Sequence, residues 1–218
     1  VKPGDSLTAV IEKRWYSLLV LSVSSEEIRC RIEDARDVRS SDLPGITVYQ
    51  GLLKGSKMDS IVSRLAELGV QRFVPMLTER SVPVMSSSNR IERWRRLAAQ
   101  GAKVTGCEDC MTVSDPLTYH ETLKNLNKEL NRVIILFCVE QYQFHLLSYV
   151  RSLHTSDDAD SDRNHFHLFF GPEGGFSLQE IEYASQCGAA SVSMGSFVLK
   201  SDTAAIVGTG FIRLYFAY

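Results

Sequence analysis

Two glycine-bearing turns carry the residues whose types and spacing best suit chemistry. The first reads Gly171-Pro172-Glu173-Gly174-Gly175-Phe176-Ser177. It stands between a strand expected over His165 to Phe170 and a helix expected over Ser177 to Gln186, with Ser177 and Glu180 spaced for a capping box. Glycines let the backbone approach a ligand closely, and Pro172 stiffens the turn. Neither the dinucleotide pattern G-x-G-x-x-G nor the phosphate loop G-x-x-x-x-G-K-[ST] is present. Glu173 inside the turn would repel a phosphate. An adenosine-bearing ligand with a positive centre and no phosphate fits better, and S-adenosylmethionine has those properties. The second turn, Met194-Gly195-Ser196-Phe197-Val198-Leu199-Lys200-Ser201-Asp202-Thr203-Ala204, joins the last strand to the last helix. Ser201 or Asp202 can cap that helix, and Lys200 just before it could face a phosphate or a base.

Other clusters are weaker. Cys107 and Cys110 form a C-x-x-C, but no second pair or nearby His completes a zinc set. His165 and His167 alternate onto one strand face without a third ligand in view. Asp157, Asp158, Asp160 and Asp162 lack the fixed Gly and terminal Glu of a calcium loop, so His154 to Asn164 reads as a surface loop. No metal is expected. Basic residues gather at Lys54 and Lys57, at Arg72 and Arg80, and from Arg90 to Arg96, where a solvated helix face is the plain alternative to a nucleic-acid contact.

The elements that must position these turns follow from periodicity. Leu7 to Ile11, Trp15 to Val23 and Glu27 to Ile32 are rich in β-branched and aromatic residues and read as strands. Arg36 to Gly45 reads as a linker. From Ile46 strands and helices alternate. Thr47 to Leu53, Arg72 to Met76, Val133 to Val139, His165 to Phe170 and Ala189 to Met194 are strands; Ser56 to Leu68, Arg90 to Val104, Ser177 to Gln186 and Asp202 to Tyr218 are helices. Ser56 and Asp59 resemble a capping box for the first of these helices, and Gly69 stops it. Alternation of this kind predicts an α/β domain with a mainly parallel sheet, whose ligands bind beyond the carboxyl ends of the strands. The final helix is apolar on nearly every side and must be buried in a core or partly in a subunit interface.

The 218 residues are 44% apolar and 23% charged, ordinary for a soluble protein, and the net charge of −2 leaves an RNA partner open. No apolar run is long enough for a membrane span. The start shows no signal-peptide pattern and no initiator Met, so residues are expected upstream. Five scattered cysteines suit a reducing cytoplasm.

The two turns, in this order and spacing, resemble the RsmE family of SPOUT-superfamily enzymes, which methylate N3 of a uridine in small-subunit (16S) ribosomal RNA. The family's second turn runs like Leu-Gly-x-x-Ile-Leu-Arg-x-Glu-Thr-Ala. Lys54-Gly55-Ser56-Lys57-Met58-Asp59 with Ala66-Glu67-Leu68-Gly69-Val70, then Thr78-Glu79-Arg80-Ser81, then Arg93-Trp94 with Ala98-Ala99, are similar to further family segments. The match spans about residues 46 to 218. It implies a SPOUT-type methyltransferase domain over 46–218, with a mainly parallel sheet and a C-terminal trefoil knot. It further implies a small, truncated PUA-like β-barrel over 1–42 that binds RNA. It implies S-adenosylmethionine held by Phe137, Gly171, Pro172, Glu173, Gly174, Gly175, Met194, Gly195, Val198, Leu199, Thr203 and Ala204, with Lys200 as the catalytic cation. Lys54, Arg72, Arg80 and Arg93 become the expected RNA contacts, the small ribosomal subunit the partner, and a homodimer the assembly. Lys200 stands where the family has Arg, Asp202 where it has Glu, and Val104-Thr105-Gly106-Cys107 where it has Gln-Ser/Cys-Gly-Arg. Two alternatives stay open: a catalytically impaired RNA-binding or ribosome-assembly protein of the same fold, and a SPOUT methyltransferase acting on tRNA.

Overall fold

The computed structural model describes residues 1–11, 14–37, 43–81, 88–105, 111–126, 132–138, 142–154 and 165–217. The chain divides into two compact units, Val1–Asp42 with Gly106–Asp109, and Leu43–Thr105 with Cys110–Tyr218. Among the described residues no helix is long and apolar enough to cross a membrane.

The small unit holds three antiparallel strands, β1 (Ser6–Ile11), β2 (Arg14–Val23) and β3 (Ile28–Asp37), in that order. β3 runs further than its apolar stretch predicts. The start of β2 needs partners, and Arg14 to Ser17 pair with Asp37 to Asp34, so Arg36 and Asp37 belong to a strand and not to a linker. Gly4, at φ +93°, turns the chain so that its N–H reaches the Val20 carbonyl at 2.9 Å.

The large unit is a sheet of parallel strands covered by helices. Its strands are β4 (Ile46–Gly51), β5 (Arg72–Leu77), β6 (Thr112–Val113), β7 (Leu117–Thr118), β8 (Arg132–Phe137), β9 (Phe144–His145), β10 (His165–Phe170) and β11 (Ala190–Ser193). The spatial order is β6-β5-β4-β10-β8-β11-β9, with β7 also on β5, and every pairing is parallel. Every residue of β4 is buried, as a central strand with both faces covered requires. The helices are α1 (Lys57–Glu67), α2 (Ser88–Thr105), α3 (Tyr119–Leu126), α4 (Leu146–His154), α5 (Leu178–Gln186) and α6 (Ser201–Tyr215). The expected mainly parallel α/β architecture is thus present.

The capping residues behave in two ways. At α5 the reciprocal box forms: the Glu180 N–H donates to Ser177 Oγ and the Ser177 N–H to Glu180 Oε2. The buried Glu180 carboxylate also accepts the Glu79 N–H at 2.9 Å, which ties the loop after β5 to the start of α5. At α1 the predicted box does not form, and Ser56 makes no side-chain cap bond. Asp59 instead accepts Trp94 Nε1 at 2.9 Å and pairs with Arg93 at 2.8 Å, clamping α1 to α2. The neighbouring helix offers two better donors than the helix's own first turn.

α6 packs against α1, β10 and β4. Its Arg213 donates to the carbonyls of Leu68, Gly69 and Pro44 at 3.1, 2.7 and 3.0 Å. A guanidinium fork there satisfies carbonyls that the end of α1 leaves without partners.

Candidate functional site

The carboxyl ends of β10, β8 and β11 are neighbours in the sheet, and the chain leaving them encloses a hollow of about 410 Å³. The turn after β10 supplies Gly171, Pro172, Glu173 and Gly175; the approach to α6 supplies Val198, Leu199, Lys200, Ser201 and Ala204. Phe137 and Phe170 form the inner wall, stacked with centroids 4.3 Å apart. A smaller hollow of about 50 Å³ adjoins it, sharing Phe137, Leu199 and Ala204 and bounded by Cys138, Met194, Gly195 and Phe197.

The first turn owes its shape to close backbone approaches. A Cβ on Gly171 would meet Gly175 at 3.1 Å, and one on Gly51 would fall 2.6 Å from Pro172 N. Gly175 itself has φ +66°, where a side chain would strain the backbone. The turn therefore lies flat on the end of β4 and closes upon itself.

Charge around the hollow differs from the sequence argument. Glu173 Oε1 accepts Lys57 Nζ at 2.9 Å and the Lys54 N–H at 3.3 Å. Partial burial works against the Glu173 charge, but the Lys57 ammonium and the backbone donors outweigh it and hold the carboxyl below its ordinary range. The hydrogen bond to Glu173 in turn raises the Lys57 ammonium above its usual value. Glu173 is therefore already neutralised by a partner and does not by itself repel a phosphate. Burial pushes the Cys138 thiol up to about 12, so it carries no thiolate at neutral pH.

Most residues expected at a cofactor site come together. Phe137, Gly171, Pro172, Glu173, Gly175, Val198, Leu199, Ala204 and Lys200 line the main hollow, and Met194 and Gly195 the smaller one. Two do not. Gly174 faces away, its carbonyl accepting Arg80 Nη1 at 2.9 Å, and Thr203 stands exposed on the first turn of α6. Of the expected RNA contacts, Arg80 lies over the first turn and Lys54 reaches it through its backbone. Arg72 begins β5, so it sits at the opposite end of the parallel sheet from the hollow. Arg93 is paired with Asp59 beside an open groove that Arg90 and Arg96 also line. Cys107 and Cys110 lie outside the described residues, as do residues 155–164 of the acidic loop and Gly106-Cys107 of the departing segment. His165 Nε2 is 2.8 Å from Thr47 Oγ1 and His167 Nδ1 is 3.1 Å from Tyr49 OH, so both rings are engaged within the sheet.

The sequence reading missed Lys57, Phe170 and Gln50. Lys57 lies in a segment already singled out, as the first residue of α1. Gln50 left one signal, a long polar side chain near the end of a strand buried throughout. Neither Ser201 nor Asp202 caps α6: Lys200 occupies that position, and the Ser201 hydroxyl donates to the Gly171 carbonyl.

The fold and site together define an all-parallel α/β domain with a small-molecule hollow at adjoining strand ends. The chain belongs to the RNA methyltransferase domain family, whose model matches residues 40–213. Among its relatives, a ribosomal RNA small subunit methyltransferase E of Synechocystis sp. is 29% identical over 81% of this chain and 55% of that protein. One of Aquifex aeolicus is 26% identical over 94% of this chain and 84% of that protein. The chain thus spans little more than half of the first relative and most of the second. The resemblance to the RsmE family is borne out. The crystal structure of a ribosomal RNA small subunit methyltransferase E from Neisseria gonorrhoeae bound to S-adenosyl methionine is 19% identical. It superposes with a TM-score of 0.79, covering 99% of this chain and 85% of that one, which establishes a shared fold.

Proposed function

We propose that this chain is an S-adenosylmethionine-dependent methyltransferase that methylates N3 of a uridine in small-subunit (16S) ribosomal RNA. One observation carries the reading: two turns about thirty residues apart in the chain, each similar to a family motif, meet around a single hollow. Its volume falls in the range of small-molecule sites, about 300–1,000 Å³. Its walls suit the proposed cofactor: aromatic and aliphatic faces for a nucleoside and close-packed glycine backbone. Gly171, Pro172, Glu173, Gly175, Val198, Leu199 and Ala204 would hold it. The cofactor, when bound, supplies an electrophilic methyl group.

The chain's own residues then have three tasks. The two turns orient the reacting centre, and Phe137, Phe170 and Leu199 give it apolar walls. Lys200, at the mouth, stabilises negative charge as uracil N3 loses its proton to solvent. Arg80 and Lys54, beside the first turn, meet backbone phosphates, and the target base leaves its stack to enter. Several further features follow the same reading. The three-stranded unit is part of a PUA-like β-barrel that adds RNA surface. After β11 the chain returns past β8 to seat α6 on β10, β4 and α1, which supports a trefoil knot. Val207 and Leu214 stand exposed on α6, which supports a homodimer, and the proposed RNA substrate supports a cytoplasmic location.

The test is methyl transfer to small ribosomal subunits by wild type, Lys200→Ala and Lys200→Arg, with the product nucleoside identified by mass spectrometry. Lys200→Ala should lose about 100-fold or more in rate, and Lys200→Arg should retain activity. A wild-type rate from Lys200→Ala removes Lys200 from the mechanism. Absence of N3-methyluridine among the wild-type products overturns the function.

A further inference from the structure

Gln50 and Ser201 are 151 positions apart and meet beneath the hollow. Gln50 is fully buried near the end of β4. Its Nε2 lies 2.9 Å from Ser201 Oγ, 3.2 Å from the Gly171 carbonyl and 3.0 Å from the Gly51 carbonyl. The Ser201 hydroxyl donates to that same Gly171 carbonyl while accepting from Gln50. The first residue of the cofactor turn is therefore held from two sides, by β4 and by the first residue of α6.

The arrangement is a poor choice for packing alone. Gln50 Oε1 is buried without a hydrogen-bond partner, an unmet acceptor that a methionine of similar bulk would not bring. What the amide supplies, and methionine cannot, is the N–H shared by Gly171 and Ser201. These two segments are the facing walls of the hollow, and Lys200 is bonded directly to Ser201.

We propose that Gln50 and Ser201 are positioning residues: a latch that sets the distance between the Gly171 turn and the start of α6, and so fixes both the cofactor cleft and the placement of Lys200. The latch itself is a property of the fold; only its consequence for the cofactor rests on the methyltransferase reading.

The experiment compares Gln50→Met, Ser201→Ala and Ser201→Thr in the full chain. Hydrogen exchange without ligand is read first. Amides of 171–176 and 200–204 should exchange faster in Gln50→Met and Ser201→Ala, with β8, β10 and α1 unchanged and Ser201→Thr close to wild type. Calorimetry with S-adenosylmethionine should then show about tenfold weaker binding in the first two variants, at an unchanged KM for RNA. Wild-type exchange in both segments overturns the latch. So does a uniform loss of protection across the sheet, which marks a packing role only. If Gln50→Met does not fold, Ser201→Ala and its Thr rescue decide. A wild-type chain that binds no S-adenosylmethionine defeats the cofactor reading, while the exchange result still judges the latch.

Discussion

Two glycines of α6, two positions apart, should answer the same substitution differently. Alanine in a helix interior is favoured over glycine by about 1 kcal/mol, so Gly208→Ala and Gly210→Ala start from the same gain. Their surroundings then separate them. A Cβ on Gly210 would lie 3.9 Å from Leu68 Cδ1 and Cδ2, an ordinary attractive contact. A Cβ on Gly208 would lie 3.0 and 3.1 Å from Phe137 Cε1 and Cζ and 3.1 Å from Phe170 Cε1. Carbon pairs prefer about 3.5–4.0 Å, so the rings must give by roughly half an ångström. They have little room, being stacked on each other and almost wholly buried. Overpacking of this kind costs about 1–3 kcal/mol.

Gly210→Ala should therefore stabilise the chain by about 0.5–1 kcal/mol, and Gly208→Ala should range from neutral to about 2 kcal/mol destabilising. Urea titration of both variants and wild type at one protein concentration measures the difference, because an assembly equilibrium would otherwise shift the midpoint. The rings that must move also line the hollow, so Gly208→Ala should weaken cofactor binding where Gly210→Ala does not. Equal midpoint shifts would refute the reasoning, for they would mean that the ring pair yields freely and does not define the inner wall.

His167 makes stability depend on pH. Burial first, then the charges of His165, Arg132 and Arg72, lowers its pKa from an ordinary value of 6.5 to about 3. Between those values the unfolded chain takes up a proton that the folded chain refuses, so stability falls as pH drops from about 6.5 toward 3. The slope is at most about 1.4 kcal/mol per pH unit. Urea midpoints at pH 6.5 and 5 should show it, and His167→Gln should flatten it; identical slopes would discard the assignment. Lys57→Met should leave the urea midpoint close to that of wild type, because its pair with Glu173 is solvent-exposed. It should at the same time tighten binding of a sulfonium nucleoside relative to an uncharged thioether analogue, since Glu173 then faces the ligand unpaired. Calorimetry with both ligands checks this, and an unchanged ratio would sink it.

How far the molecule could be read beforehand follows from the range of each interaction. Helices with a repeated apolar face, such as Met58, Ile61, Val62 and Leu65 on α1, declare themselves locally, as does the Ser177–Glu180 box. α3 carries the same signal in Tyr119, Leu123 and Leu126 over too few turns to stand out, and it went unread. β6, β7 and β9 are two residues each, and their extended form comes from the strand beside them, not from any pattern of their own. The order of the sheet is equally silent: nothing near Val133 says that β8 lies between β10 and β11. At the site, glycines that permit close approach were visible as glycines. The Gln50–Ser201 contact was not, because a hydrogen bond between distant residues needs only two unremarkable side chains.

The same distinction changes the argument for the ligand. From the sequence, a carboxylate within a glycine turn excludes phosphates by charge. In the fold, Lys57 answers that charge from another helix, and Lys200 adds a second cation at the mouth. Net charge around the hollow therefore does not bar an anion. Selection then falls to the shape of the hollow and to the apolar faces of Phe137, Phe170, Pro172, Val198, Leu199 and Ala204, which stand beside the charged Lys57, Glu173 and Lys200. A phosphate set against those apolar faces would surrender its hydration, whereas a phosphate outside would meet Arg80 in water. One site can thus hold a phosphate-free nucleoside within and a nucleic-acid backbone at its rim, provided the two turns keep the wall between them closed.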